Sequence, residues 1–597
     1  MNFASLIFDL LERAGVTHCF AVPGGGNMFL INAAHDHPSI ILKFCHHEQS
    51  AAIAAEAYYK ASGRIACCIV TSGPGATNSL TGIVGAWLDS SPMVVLAGQV
   101  KTGDLSGGVL RQKGPQEVDF ISIVKGVSLF SEQLLDNSVS PILEGLSRLR
   151  DGRRSGPIVF SVPLDVQNSR VDRSFALGAA SSSGNIVCDS HEHNFASVFE
   201  KLKAARRPAV LVGEGCRWVP KELMSEFFKI CDALNIFCLF SWLSYDLMPW
   251  DNRINMGRPG GVAKRHSNIT VQCADFLLIV GSRLDPTQTA FNTEEFGKNA
   301  DVSVIDVDRA ELDKLPERFQ KIEANSQNFV SVFNKALGEL SNTSQQRGDW
   351  VDFCAELKLR FGQEAANAVH DSDWLSIERV VDYLSNWAPE NATIVTGSSG
   401  LSVEIFHSGF RNKYGQRIFL TTALGSMGYG LPALIGAKAA VGEERVTVLF
   451  ESDGSFMMNI QELASINKDW SNTVIFLINN NGYASIRSSQ SRHFGKVMGT
   501  DPSSGLDFPD FHAVVEAFGI DCVTCDSLEK LSETLLAWVA DRRLLVIELM
   551  VEPQSQLLPK CGVAFSGDKI VTAPLEDMDP KLDQADLEQL MAITKHG

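Results

Sequence analysis

No stretch of the chain reaches the roughly 18 uninterrupted apolar residues that a membrane-spanning helix needs, which argues against a transmembrane protein. A basic leader is missing too. Met1 to Gly15 carries Asp9 and Glu12, and Leu6, Ile7, Leu10 and Leu11 follow helical spacing, so the start reads as the first helix of a soluble domain. Positive charge is in short supply. With 52 Lys and Arg against 70 Asp and Glu, the net charge of -18 argues against nucleic acid or an anionic membrane as the main partner, since both need a basic footprint. Cysteine pairing patterns are absent as well. The 13 cysteines are scattered, and several fall in apolar runs (Cys67-Cys68, Cys231, Cys238), as reduced core thiols of a cytoplasmic protein do. The single C-x-x-C, Cys522 to Cys525, has no second pair to complete a four-cysteine zinc site, and strand residues are the favoured reading. No short-period repeat is visible.

What is present is an alternation of helical patterns with short apolar runs. At 597 residues, 45% hydrophobic and with 48 glycines, the chain is too long for one core and reads as several α/β domains. Strand-like runs fall at Cys19 to Val22, Ala66 to Thr71, Met93 to Gly98 and Ile158 to Val162. A second set lies at Pro208 to Gly213, Phe276 to Gly281 and Val302 to Val307. A third lies at Thr393 to Val395, Val446 to Phe450, Thr473 to Ile478 and Leu544 to Met550. The runs are β-branched and apolar throughout, as strands of doubly wound parallel sheets are. Polar stretches at Leu177 to Asn185 and Glu339 to Arg347 read as linkers, and a tail rich in Pro, Asp and Lys closes the chain. The first and third units look like one architecture used twice.

The most informative segment is Glu451-Ser452-Asp453-Gly454-Ser455-Phe456, with Asn479-Asn480-Asn481-Gly482-Tyr483 after it. Both begin where a predicted buried strand ends. In open α/β sheets ligands gather at the carboxyl ends of the strands, so Asp453 and Asn480 become neighbours if their strands do. A carboxylate, an amide oxygen and a backbone carbonyl are hard donors suited to Mg²⁺ bridging a ligand's phosphates.

Four further segments are modest one by one. Pro23-Gly24-Gly25-Gly26 follows the first strand and, alone, is a tight turn. His46-His47-Glu48 opens an alanine-rich helix, where a glutamate also suits the helix dipole. Thr71-Ser72-Gly73-Pro74-Gly75 is a strand end that could hold any anion at a helix start. Thr421 to Ala433 concentrates small residues where a flat ligand could lie on backbone.

In this order, the five segments closely resemble the acetohydroxyacid (acetolactate) synthase large-subunit branch of the thiamine diphosphate (ThDP) enzymes, over about residues 1 to 555. The resemblance implies three doubly wound parallel-sheet domains: pyrimidine-binding at 1–175, central at 190–340 and diphosphate-binding at 370–555, with a tail at 556–597. It implies ThDP and Mg²⁺ as cofactors, and a homodimer or homotetramer whose active site lies at a subunit interface. Carried over by position, Glu48 is the catalytic residue that hydrogen-bonds the aminopyrimidine and promotes its imino tautomer. Asp453, Asn480 and the carbonyl of Gly482 are the metal ligands. Gly25, Gly454, Ser455 and Tyr483 join them around the cofactor, Gly425 offers a carbonyl to the pyrimidine, and Met427 props the cofactor in its bent shape. Gln112 or Gln116 reaches toward substrate. The implied reaction is decarboxylation of a 2-oxo acid, pyruvate first, with transfer of the acyl carbanion to a carbonyl acceptor.

The chain departs from that pattern at the acceptor side. Where the biosynthetic synthases carry Gln-Trp-Gln, it has Ser488-Ser489-Gln490, with Arg487 just before; Pro115 replaces the phenylalanine expected ahead of Gln116, and Ser452 replaces the first glycine of Gly-Asp-Gly. An opened pocket with an added charge points to a larger acceptor, such as a keto sugar nucleotide. Gly281 to Asp285 and Ile305 to Asp308 resemble flavin-contacting strand ends, while Gly257 to Gly261 matches only loosely. Bound FAD and a central domain that has lost it both stay open. So do a simple decarboxylase, a pyruvate oxidase-type flavoenzyme and a non-catalytic relative.

Overall fold

A computed structural model describes residues 1–149, 154–172, 195–338, 347–363, 374–398, 400–466, 469–566 and 569–595. The linker expected at Leu177 to Asn185 lies outside these residues. So does the one at Glu339 to Arg347 except for Arg347, whose buried guanidinium donates to the carbonyls of Leu202, Ala205 and Leu234.

Three parallel sheets organise the chain. The first holds β1 (His18–Ala21), β2 (Ile41–Phe44), β3 (Cys67–Val70), β4 (Met93–Gln99), β5 (Phe130–Gln133) and β6 (Pro157–Pro163), in the order β2-β1-β3-β4-β6-β5. The central sheet holds β7 (Pro208–Val212), β8 (Phe237–Phe240), β9 (Phe276–Val280), β10 (Asp301–Asp306) and β11 (Gln320–Glu323), in the order β11-β10-β9-β7-β8. The third holds β12 (Thr393–Thr396), β13 (Arg417–Phe419), β14 (Thr447–Ser452), β15 (Thr473–Asn479), β16 (Cys522–Cys525) and β17 (Leu545–Met550), in the order β13-β12-β14-β15-β17-β16. Strand for strand the first and third orders are identical, which makes the repeated architecture literal. In both, the order reverses between the first and third strands, so a crevice is expected beyond the ends of β1 and β3, and beyond those of β12 and β14. Cys522 and Cys525 lie in a strand, and the twelve cysteines of the described residues are buried free thiols. Among the described residues no helix is long and apolar enough to cross a membrane.

The domains share their cores. The alanine-rich helix Glu48–Ser62 crosses the Gly430–Val441 helix of the third domain so closely that a Cβ on Gly436 would stand 2.1 Å from the Ala54 carbonyl oxygen. Only glycine fits there. Arg417, beside β12, reaches all three domains: it donates to the Lys60 carbonyl at 2.6 Å and pairs with Asp246 at 3.1 Å, while Asp246 also takes the Ile418 N–H and the Arg217 guanidinium. The tail folds back on the central domain, where the Cys561 N–H donates to the Gly261 carbonyl and Gln272 to Glu576.

Candidate active site

Asp453 begins a short helix at the end of β14 and is 1% exposed. Its Oδ2 accepts the N–H of Asn480 at 3.1 Å and of Gly482 at 2.9 Å, and its Oδ1 accepts the N–H of Gly454 at 2.6 Å. The register of β14 against β15 makes this possible by setting Ser452 opposite Ile478. The Asn480 side-chain amide stands between the Gly482 carbonyl oxygen, at 2.6 Å, and Asp453 Oδ2, at 3.3 Å, and with its NH₂ turned toward them it donates to both. Turned the other way, the amide offers its oxygen beside theirs as a hard donor, and ligands at about 2.1 Å around octahedral Mg²⁺ stand about 3 Å apart, close to these spacings. The donor set fits Mg²⁺. Burial pushes the Asp453 carboxyl up to about 6 against the pull of its three N–H donors and Arg487.

Behind the clamp lies a carboxylate that the sequence reading passed over. Glu451 is fully buried, accepts the Gly430 N–H at 2.9 Å, and is pushed up to about 7 chiefly by burial. A glutamate at the end of a buried strand, two residues before Asp453, was the signal available. Ser455, expected at the diphosphate, is engaged within the protein: its Oγ accepts the Gly428 N–H at 2.8 Å and donates to Glu451. A Cβ on Gly454 would fall 2.1 Å from the Tyr483 ring, so the glycine makes room for that ring.

The N-terminal half of the site gathers at the β1 and β3 ends. The Gly26 N–H donates to Thr71 Oγ1 at 3.0 Å, and Gly24 packs on the same threonine, while the Cβ position of Gly25 faces open space. Glu48 heads its helix, half-buried; its Oε2 accepts from Asn78 Nδ2 at 3.0 Å, and its Oε1 faces Gly75. Gln116 holds a left-handed φ of 60° and lies against Gly73, whereas Gln112 donates to the Glu117 carbonyl. Gly425 has φ 61° with only the Ser398 carbonyl near its Cβ position, and Met427 is half-buried two residues on.

The two halves dock beside each other without merging. The N–H groups of His46 and His47 donate to Glu462 Oε1 at 3.1 Å each, and Ser50 donates to Asn459. No hydrogen bond or ion pair among the described residues joins Glu48 to Asp453, Asn480 or Gly482. Arg487 is not where the sequence put it. It is 5% exposed and donates to the carbonyls of Asn480, Asn481 and Pro553, so it faces the back of the clamp and not an acceptor pocket. Gln490 is also engaged, holding both backbone groups of Met498.

In the central domain, the 257–261 turn and Asp308, which the resemblance gives to a flavin, make contacts within the protein. Residues 257–260 are buried; the Gly260 N–H and carbonyl both bond Asn268, and Gly261 bonds Thr287 and Cys561. The Arg258 guanidinium lies 4.2 Å over the Tyr245 ring and donates to the Ser408 and Phe410 carbonyls, and Asp308 pairs with Arg154.

Three family models match the chain in order: the N-terminal TPP binding domain of thiamine pyrophosphate enzymes at residues 1–123, the central domain at 195–331 and the C-terminal TPP binding domain at 398–549. The acetolactate synthase large subunit of Lactococcus lactis is 28% identical over 98% of both chains. Acetolactate synthase isozyme 2 large subunit of Escherichia coli is 29% identical over 87% of this chain and 90% of its own, and chloroplastic acetolactate synthase 2 of Zea mays is 27% identical over 93% and 86%. With its sheets, its clamp and these matches in one register, the chain belongs to the thiamine pyrophosphate enzyme family, as an acetolactate synthase-like member.

Proposed function

We propose that the protein binds ThDP through Mg²⁺ on Asp453, Asn480 and the Gly482 carbonyl, decarboxylates a 2-oxo acid, with pyruvate the first candidate, and passes the acyl carbanion to a carbonyl acceptor. The observation that carries this is the gathering of the Asp453 carboxylate, the Asn480 amide and the Gly482 carbonyl at the ends of β14 and β15. When bound, the cofactor supplies a thiazolium electron sink for decarboxylation. The protein supplies position and a proton path. Glu48 holds the proton that moves on the aminopyrimidine; Asn78 fixes one of its oxygens and leaves the other free on the Gly75 side. Gly25 and Gly425 leave bare backbone for a flat ring, and Met427 supports it. The Tyr483 ring, edge-on to Phe508, adds an apolar wall beside Gly454 that lowers the local dielectric. Because Glu48 is half-exposed and its side-chain partners lie within its own domain, we place it opposite the clamp of a second copy, in at least a homodimer.

The acceptor in this proposal is larger than a second small 2-oxo acid, with a keto sugar nucleotide as the class to try first. Support comes from Ser488 and Ser489, small side chains on the helix that follows the clamp, and from Gln490 being held by Met498. We also propose that the central domain works without flavin, since its candidate turn is filled by its own contacts. The test is incubation with Mg²⁺, ThDP and pyruvate, with and without carbonyl acceptors, followed by NMR of the products. Acetolactate alone overturns the altered acceptor; acetaldehyde alone overturns carboligation; a ThDP-independent outcome overturns the whole reading. A yellow purified protein with flavin absorbance overturns the flavin-free domain.

A further inference from the structure

The Arg487 side chain makes four hydrogen bonds, and two of them end on the clamp loop. It leaves the first turn of the helix Ala484–Phe494 and turns back beneath the segment that would hold the metal. Nη2 donates to the Asn480 carbonyl at 3.1 Å and the Pro553 carbonyl at 2.6 Å; Nη1 donates to the Asn481 carbonyl at 3.2 Å and Asp501 Oδ2 at 3.3 Å. Asn480 is thereby gripped on both sides, its N–H by Asp453 and its carbonyl by Arg487. The loop needs a grip. Asn481 has φ 55°, and Gly482 has φ 124° with a Cβ position only 2.0 Å from the Thr500 carbonyl oxygen, so two consecutive residues sit in left-handed backbone that an unbraced chain rarely holds.

The far ends of the brace are themselves fixed. Pro553 follows β17, the sheet neighbour of β15, and Asp501 caps the Pro502–Ser504 turn through the Ser504 N–H. Arg487 therefore ties the β15 loop to the adjacent strand end and to the Thr500 segment that contacts Gly482 and Tyr483. A planar guanidinium can address four acceptors in fixed directions, which an ammonium cannot.

We infer that Arg487 is a positioning residue for the metal: it holds the Asn480–Gly482 loop in the shape that sets the Asn480 amide between the Gly482 carbonyl and the Asp453 carboxylate. The inference rests on reading the clamp as a Mg²⁺ site. It also removes Arg487 from the acceptor pocket, so the acceptor must be recognised by other groups.

The experiment measures ThDP-dependent Mn²⁺ binding by electron paramagnetic resonance and calorimetry on the full-length protein, for wild type, R487M, R487K and D501N, with circular dichroism as the fold control. R487M is expected to weaken Mn²⁺ binding at least about tenfold, as loss of an outer support of a metal ligand does. R487K is expected to recover only part of this, and saturating Mn²⁺ to restore most of the turnover with pyruvate. Folded R487M binding Mn²⁺ within about twofold of wild type overturns the inference. So does a raised KM for acceptor at unchanged metal affinity. Should R487M not fold, R487K decides, and metal binding equal to wild type overturns the role. Wild-type protein that binds Mn²⁺ no better with ThDP than without it overturns the clamp reading itself, and with it this one.

Discussion

Lys60 Nζ lies 2.8 Å from Asp89 Oδ2, with the two side chains 3% and 1% exposed. The ammonium also lies 2.7 Å from Glu56 Oε1 and donates to the Leu420 carbonyl, while Asp89 accepts both N–H groups of Thr422 and Ala423 and the Thr422 hydroxyl. The helix that begins at Glu48 is thus bonded to the segment that leads to Gly425 and Met427. One cation faces two carboxylates, and the charge resolves unequally. Asp89 is held below the usual range by Lys60 and the Thr422 donors although burial opposes it, whereas burial pushes Glu56 up to about 7.

Removing the cation should be costly. Lys60→Met leaves a buried carboxylate without its partner, which in other proteins costs about 3–5 kcal/mol. We expect a clear fall in the denaturation midpoint followed by intrinsic fluorescence. Glu56→Gln should instead be mild and should change the pH dependence. A carboxyl raised to about 7 contributes stability below its ordinary value of 4.5, and that contribution is lost as pH rises through about 7. The wild-type midpoint should therefore fall across this range more steeply than that of Glu56→Gln. Parallel curves would contradict the assignment.

Metal binding should run the other way with pH. Asp453 must lose its proton to ligate Mg²⁺, and in the metal-free protein it titrates near 6. From this group alone, affinity for Mg²⁺ with ThDP should be flat above that value and fall about tenfold per unit below it. For the metal-free fold the sign is opposite: a raised carboxyl stabilises below its ordinary 3.8 and loses that contribution as pH rises through about 6, so the thermal shift produced by Mg²⁺ and ThDP should widen with pH. Calorimetric titration across that interval checks both.

Apart from the edge strand β16, read through Cys522 and Cys525, the strands that were legible in the sequence are the interior ones. β1, β3, β4, β6, β7, β9, β10, β12, β14, β15 and β17 have neighbours on both sides and bury nearly every residue, so they appear as continuous apolar runs. The strands passed over all lie at sheet edges. β2 is largely exposed, β5 and β11 are half-buried and carry Glu132, Gln133, Gln320 and Lys321, and β13 is three residues long. Partly solvated strands lose the apolar run that marks a buried one. β8 is the exception, since Phe237 to Phe240 is apolar and buried. Within the site, residue types were legible and side-chain directions were not. Asp453, Asn480 and Gly482 converge as their spacing suggested, but whether Arg487 points into the pocket or behind the clamp depends on side-chain rotamers and on the distant Pro553 and Asp501. The Gly454–Tyr483 contact is equally invisible in one dimension.

Among the described residues Glu48 makes its one side-chain hydrogen bond to Asn78, so replacing its carboxylate with an amide changes its charge far more than its shape. Glu48→Gln should lower turnover with pyruvate by about 10²–10⁴-fold, the range for losing a positioned proton-transfer group. ThDP and Mg²⁺ should still bind, because the clamp lies on another domain and has no bond to Glu48. Turnover and cofactor binding measured on the same sample check this, and unchanged turnover would refute the proton-transfer role.

The acceptor side offers the most direct change of specificity. Ile486, Ser489 and His493 are exposed on one face of the helix Ala484–Phe494, just beyond the clamp. Their spacing places them one above another at helical intervals. The resemblance sets Ser489 at the position of a tryptophan in the biosynthetic synthases, and the small exposed side chain leaves the face open. Ser489→Trp adds a large apolar body at an exposed position, so stability should change by no more than about 0.5 kcal/mol. The product distribution should change instead. With pyruvate as donor, the variant should favour acetolactate over products of larger carbonyl acceptors, with kcat/KM for the larger acceptor falling at least about tenfold through a rise in KM. Competition between the two acceptors in one reaction, read by NMR, gives the ratio directly. An unchanged ratio would mean that the exposed face of this helix does not meet the acceptor.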